Sequence, residues 1–290
     1  MGNWLKKQKR NFRLWIQLAF AALTNGYVTG FLKGKIYSGP LKQLCVPGLN
    51  CYSCPGAVGA CPIGALQAVL GSSSFHMSLY VFGFLAFVGT LAGRFVCGWL
   101  CPFGLVQDLL YKIPFPRKLR RLPGERVLKY LRYILLVVFV ILLPLVVVDF
   151  IGQGKPWFCS YVCPSGTLLG ALNEGLRRSL GWLYAWKMAL LILVVVLSVL
   201  ISRPFCRYAC PLGAVYGLFN PIALYRLRLD KDKCTQCRAC QAACKLDIPV
   251  WKTPNSTQCI RCGECLKVCP TGALSTRFSL KKPTEQKKAR

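Results

Sequence analysis

Four stretches of the chain are nearly continuous runs of apolar residues, and the segments between them are polar, basic or rich in cysteine. The runs cover about Leu14 to Leu32, Phe75 to Gly93, Tyr133 to Phe150 and Leu183 to Ile201. Each comes close to the roughly 20 residues a helix needs to cross a bilayer. Trp or Tyr stands near most ends (Trp15, Tyr80, Tyr133, Trp157, Tyr184), the place such rings favour at a membrane–water boundary. Pro144 lies inside the third run, a kink that a membrane helix tolerates. The pattern predicts a mainly α protein with four transmembrane helices. The first run is read as a retained helix, because no small-residue cleavage site follows it. The expected order is a basic arm (1–13), a four-span domain (14–222), a small α+β module (223–275) and a basic tail (276–290). The four-span part divides into similar halves at about 14–110 and 130–222.

Charge adds an orientation. The arm holds Lys6, Lys7, Lys9, Arg10 and Arg13, and the connector after the second run holds Lys112, Arg117, Lys118, Arg120, Arg121, Arg126, Lys129 and Arg132. Residues 33–74 carry only Lys33, Lys35 and Lys42, and residues 151–182 only Lys155, Arg177 and Arg178. Positive residues stay on the cytoplasmic side, so the N-terminus, the connector and the C-terminal module are expected there, with the two other loops outside. The net charge of +29 does not point to nucleic acid, because the basic patches alternate with apolar spans. They suit anionic lipid or an acidic electron carrier.

The 18 cysteines change the picture most. Cys234, Cys237, Cys240 and Cys244 follow one spacing, and Cys259, Cys262, Cys265 and Cys269-Pro270 repeat it. This is the double run of a bacterial ferredoxin with two [4Fe–4S] clusters, in which each fourth cysteine serves the other cluster. One cluster is thus expected on Cys234, Cys237, Cys240 and Cys269, the other on Cys259, Cys262, Cys265 and Cys244. Zinc is the alternative, but it favours two separated pairs of cysteines. Such thiols belong in a reducing compartment.

Three further segments share a Cys-x3-Cys-Pro unit: Cys97/Cys101, Cys159/Cys163 and Cys206/Cys210. Cys61-Pro62-Ile-Gly is a fourth copy with a different lead-in. Proline suits the first residue of a helix, so each cysteine before it should sit at a helix start, where backbone N–H groups favour negative charge and a lowered thiol pKa. Cys97, Cys101, Cys206 and Cys210 are expected at the cytoplasmic ends of two spans, where they can share a third cluster. Cys45, Cys51, Cys54, Cys61, Cys159 and Cys163 are expected on the outer face. A fourth cluster there is drawn from Cys51, Cys54, Cys61 and either Cys159 or Cys163, the surplus thiols being free or in a disulfide.

On these motifs, Phe95-Val-Cys97-Gly-Trp-Leu-Cys101-Pro-Phe-Gly, Arg203-Pro-Phe-Cys206-Arg-Tyr-Ala-Cys210-Pro-Leu-Gly and the double ferredoxin run, the chain resembles the NapH/NosR-type membrane polyferredoxins over about residues 75–275. The resemblance implies a membrane electron-transfer component that passes electrons between the quinone pool and a reductase or its partners. The charge-derived placement of the cysteines points to a relay in the cell membrane between a cytoplasmic redox partner and a membrane or outer partner. Two other roles stay open: a quinone-reactive oxidoreductase subunit, with Gln107 and Asp108 near a headgroup site or on the wet face of an interfacial helix, and a redox sensor or assembly factor. His76, the single histidine, reads as an interfacial residue rather than a haem ligand.

Overall fold

The computed structural model describes residues 2–33, 35–51, 53–72, 76–116, 118–149, 154–170 and 174–278, and their side chains except at 2–11, 31–32, 76–78, 169–170 and 174–180. The His76 side chain and most of the basic tail lie outside the described residues. The first apolar run is two helices, not one. Helix α1 (Gly2–Thr24) stops where Thr24 Oγ1 donates to Phe20 O at 2.8 Å and Asn25 Nδ2 donates to Ala21 O at 3.1 Å. These short polar side chains engage the carbonyls of the last turn themselves, and α2 (Val28–Lys33) follows after Gly26.

Helix α3 (Pro62–Leu70) precedes α4 (His76–Ala92), which carries the second run. Gly93, at φ +54°, turns the chain into α5 (Phe95–Trp99), and α6 (Pro102–Leu110) comes next. The third run begins earlier than expected, with α7 (Glu125–Ile134), and continues through a wide π-helical stretch (Leu135–Leu142) into α8 (Leu143–Val146). Pro144 accounts for the wide turns: it lacks an N–H and crowds the carbonyl four residues back, and a π-helical stretch accommodates both. Helices α9 (Pro164–Gly170), α10 (Glu174–Leu200, bent at Gly181), α11 (Pro204–Tyr208) and α12 (Pro211–Phe219) complete the helical part. The C-terminal module has β1 (Tyr225–Leu229) antiparallel to β2 (Leu274–Phe278), with the short helices α13 (Ala239–Ala242) and α14 (Glu264–Lys267) between them.

Among the described residues, two helical stretches are long and apolar enough to cross a membrane, Glu125–Val146 and Gly181–Leu200, while Phe12–Thr24 and Leu79–Ala92 are shorter. Of the four runs, the third and fourth lie in such helices, the second lies in the 17-residue α4, and the first is divided between α1 and α2. Helix α12 forms the centre of the helical part, with Ala214 and Tyr216 fully buried. The C-terminal module is seated against it by buried polar groups. Arg261 donates to Ala92 O (2.9 Å) and Asn220 O (2.6 Å), and Asn220 Nδ2 donates to Cys259 O (2.7 Å).

Candidate iron–sulfur sites

The four Cys-Pro units fold alike. Cys61, Cys101 and Cys210 cap α3, α6 and α12 with extended backbone, and a proline is the first helical residue. Cys163 stands before α9 in the same way. In each unit the third helical residue is glycine, and at two of them room is scarce. A Cβ at Gly104 would lie 3.1 Å from Cys97 O, and one at Gly213 would lie 3.2 Å from Cys206 O. Backbone N–H groups do turn toward these sulfurs; Gly213 N lies 3.4 Å from Cys210 Sγ. The expected lowering of thiol pKa does not follow. Burial pushes Cys61, Cys101 and Cys206 up to about 11 and Cys163 up to about 12. A thiolate taken wholly out of water loses more hydration than a few amides return, so only a bound cation would keep it charged.

Cys97, Cys101, Cys206 and Cys210 come together. Burial raises the Cys210 thiol, and Cys206, Cys97 and Cys101 all add to it. The two halves brace each other around this set. Arg94, three residues before Cys97, donates to Cys206 O at 2.7 Å, and Arg203, three residues before Cys206, donates to Cys97 O. Both guanidinium groups are about 1% exposed. Gln107 is buried here and Asp108 half-buried, rather than on a wet helix face. Gln107 Nε2 lies 3.2 Å from Cys206 Sγ, and Asp108 bonds to Arg203 at 2.6 Å and to Arg13 at 2.7 Å.

On the other side, Cys51, Cys61, Cys159 and Cys163 form a second group. Burial raises the Cys159 thiol, and Cys163, Cys61 and Cys51 add to it. A Cβ at Gly166 would meet Cys51 Sγ at 3.5 Å, and one at Gly64 would meet Cys159 Sγ at 3.8 Å. Gln67 Nε2 lies 3.3 Å from Cys159 Sγ. Cys54 Sγ lies 4.0 Å from Asn25 Oδ1 and also adds to the shift of Cys51, which burial raises, and Cys45 forms an isolated backbone bridge with Ala60. Cys159 and Cys163 are both coupled to Cys51 and Cys61.

The C-terminal module has two cavities. One is lined by Cys234, Cys237, Cys240 and Cys269, the other by Cys244, Cys259, Cys262 and Cys265. The two cysteine runs share a backbone path. Gln236 and Arg261, each just before a second cysteine, have φ of +52° and +51°, and Arg238 and Gly263, each just after it, have +58° and +81°. Left-handed residues of this kind turn successive N–H groups to one side, which makes a cradle for an anion.

The sets are also adjacent. Cys240 adds to the burial that pushes Cys265 up to about 12, which joins the two cavities. A Cβ at Gly98 would overlap the carbonyl oxygen of Ile260, next to Cys259, so the second cavity adjoins the Arg-braced set. A Cβ at Gly48 would lie 3.1 Å from Cys101 Cα, so the loop that charge placed outside folds inward onto that set. Tyr216 lies between the two groups of the helical part. Burial raises its phenol pKa, and Cys97, Cys61, Cys45 and Cys101 add to the shift.

The residues fit an anionic iron–sulfur group. Among the described residues no three His, Cys, Asp or Glu side chains converge as a single metal ion would require. Thiolates on one zinc lie within about 4 Å of each other, since each Zn–S bond is about 2.3 Å, whereas a cubane presents a separate iron to each cysteine. Around the Arg-braced set the Nε atoms of Arg94 and Arg132, the Gln107 Oε1 and the Tyr216 hydroxyl are buried without hydrogen-bond partners among the described residues. Of the three buried arginines there (Arg94, Arg132, Arg203), only Arg203 has a carboxylate partner among the described residues, Asp108, an imbalance that a cluster held by four thiolates would correct.

The sequence reading missed Gln67, although Cys-Pro-x-Gly-x-x-Gln recurs at Cys61 and Cys101. A family model for a 4Fe-4S binding domain matches residues 74–123, 133–182 and 184–230, and another of that description matches 253–275. The chain is similar to two uncharacterized proteins of Methanocaldococcus jannaschii: one 34% identical over 66% of this chain and 66% of the relative, the other 32% identical over 66% and 75%. It is also similar to the ferredoxin-type protein NapH of Haemophilus influenzae, at 29% identity over 66% of each chain. The chain thus spans about two thirds to three quarters of these relatives. No solved structure matches. With 4Fe-4S-binding models covering half its length and ferredoxin-type relatives over two thirds of it, the chain belongs to the NapH-type polyferredoxin family of iron–sulfur electron-transfer proteins.

Proposed function

We propose that the chain is a membrane-embedded relay that carries electrons between a cytoplasmic redox protein and a partner in or beyond the membrane. In this reading four [4Fe–4S] clusters are held by four cysteine sets: Cys234/Cys237/Cys240/Cys269, Cys244/Cys259/Cys262/Cys265, Cys97/Cys101/Cys206/Cys210 and Cys51/Cys61/Cys159/Cys163. When bound, such clusters supply one-electron storage at potentials set by charge, hydrogen bonds and exposure.

The observation that carries the reading is that each set neighbours the next: Cys240 is coupled to Cys265, Gly98 lies against Ile260, Gly48 lies against Cys101, and Tyr216 is coupled to both Cys101 and Cys61. The chain's own residues do the rest. Arg94 and Arg203 hold the cysteine backbones of opposite halves in register and place positive charge beside four thiols. Gln107 and Gln67 donate to cysteine sulfur. The buried packing of Phe103, Phe158 and Tyr216 keeps water away from both inner sets. Gln107 and Asp108 are already engaged by Cys206, Arg203 and Arg13, which weighs against a quinone headgroup between them.

Support for the membrane comes from exposed apolar surface. In the Gly181–Leu200 helix only 6% of the apolar window is buried, and Ile192, Leu193 and Val196 are exposed. Surface of this kind is matched by lipid tails, whereas in water it aggregates. With α1 and α4 as shorter partners, four crossings would return the chain to its starting side, leaving the basic arm, the connector and the C-terminal module in the cytoplasm. Iron and acid-labile sulfide analysis of the detergent-purified protein tests the reading. Four cubanes require about 16 irons per chain, and about eight would leave only the two ferredoxin clusters and sink the relay.

A further inference from the structure

We propose that the rim of the cavity lined by Cys234, Cys237, Cys240 and Cys269 is the docking surface for a small acidic one-electron carrier protein, with Trp251 at the contact. The proposal rests on the relay reading and names its cytoplasmic partner. Of the 18 cysteines only Cys237 is exposed. The three other sets are enclosed: the second cavity is walled by Arg13 and Asp108 of the helical part, and the sets within that part are buried or nearly so. An electron exchanged with a protein in the cytoplasm therefore has one short way in.

The chemistry of this rim selects the carrier. Trp251 lines the cavity, and its ring lies between two exposed cations, with Lys252 Nζ 4.8 Å and Arg238 Cζ 5.6 Å from its centroid. Trp251 Nε1 donates to Gln241 Oε1 at 3.3 Å, which fixes the ring's edge. Lys231 and Lys233 stand exposed on the segment leading into Cys234, and of these Lys233 lies 3.8 Å from Asp230. Asp232 is the other carboxylate of that segment, and Arg238 and Lys252 sit over the aromatic ring rather than on a carboxylate. Cations held beside an aromatic over a redox site favour encounter with a partner of negative surface. The transfer balances simply. The reduced carrier loses one electron, the iron–sulfur group held by the cavity gains it, no bond is made or broken and no proton is needed.

The test uses the full chain in neutral-lipid nanodiscs, with a reduced acidic two-[4Fe–4S] ferredoxin as probe and dithionite as a small control reductant. Stopped-flow absorbance should show the double variant Lys231→Glu, Lys252→Glu accepting electrons from the ferredoxin at least about tenfold more slowly at low salt. Its salt dependence should flatten and its reduction by dithionite should be unchanged. Trp251→Phe, which keeps an aromatic wall on the cavity, should slow the ferredoxin more than it slows dithionite. An unchanged ferredoxin rate overturns the proposal, and so does an equal loss with dithionite, which would make these residues servants of the cluster. A loss seen only when anionic lipid is added also overturns it, because lipid is then the occupant. Iron analysis of the same samples reports separately on the relay: about eight irons per chain with a tenfold loss would end the relay and leave the docking surface standing.

Discussion

The side-chain amide of Gln107 donates to Sγ of Cys206 across 3.2 Å, and Gln67, in the same half, holds the same relation to Cys159 at 3.3 Å. Each glutamine lies six residues after the cysteine of a Cys-Pro-x-Gly unit, one and a half turns into its helix, and each donates to a cysteine of the opposite half. A hydrogen bond to a thiolate stabilises the more negative, reduced state most. Gln107→Leu should therefore lower the midpoint potential of the Cys97/Cys101/Cys206/Cys210 centre by about 60 mV, a tenfold change in its redox equilibrium. Gln67→Leu should shift the other inner centre instead. EPR-monitored redox titration at unchanged iron content reads both, and a shift of the wrong centre refutes the pairing.

The reciprocal arginines carry charge as well as geometry. Arg94→Gln should lower the potential of the same centre further than Gln107→Leu, because it removes a full buried charge. Arg203→Met should act on folding too, since Asp108 would keep only Arg13 as a partner. Breaking a buried pair costs about 3–5 kcal/mol, visible as a lower midpoint in detergent thermal melts.

Asp108 also gives the protein an acid limit. Burial acts to raise its pKa, but Arg203 and then Arg13 outweigh it, so the native carboxyl stays below its ordinary value. A carboxyl depressed in the folded state stabilises fully above its unfolded pKa of about 3.9, and that stability is lost as pH falls toward the native value. Asp108→Asn should flatten this limb of the stability–pH curve. Melting temperatures between about pH 6 and pH 3 check it; an equally steep fall in the variant would assign the limb to other carboxyls.

Gly98 is a close approach between the helical part and the C-terminal module. Any Cβ there would strike Ile260 backbone, which cannot move aside as a side-chain tip can. Gly98→Ala should push the module away while leaving both cysteine runs intact. The expected result is full iron content with weakened magnetic coupling between the Cys259-run centre and the Arg-braced centre in the reduced EPR spectrum.

The six cysteines of the expected outer group should separate into two classes. Cys51→Ser or Cys163→Ser should cost about four irons, one cubane, whereas Cys45→Ser and Cys54→Ser should keep them. Loss of iron in Cys54→Ser with none in Cys163→Ser would restore the sequence-based choice.

Local chemistry was legible along the chain. The spacing of Cys234 to Cys269 depends on neighbours a few residues apart, so the ferredoxin runs and their shared backbone turns follow from order alone. The same holds for proline at the first position of each Cys-Pro helix. Other features needed the folded chain. Hydropathy counts apolar residues but not how a run ends, so Thr24 and Asn25 could divide the first run unnoticed. Charge assigns loops to a side of the membrane but not to a depth, so it missed the inward path that brings Gly48 onto Cys101. The grouping of Cys51 and Cys61 with Cys159 and Cys163, and the crossing of Arg94 and Arg203 between halves, join residues about 100 positions apart. Contacts of that kind arise from packing two similar halves against each other, and no spacing rule within either half contains them.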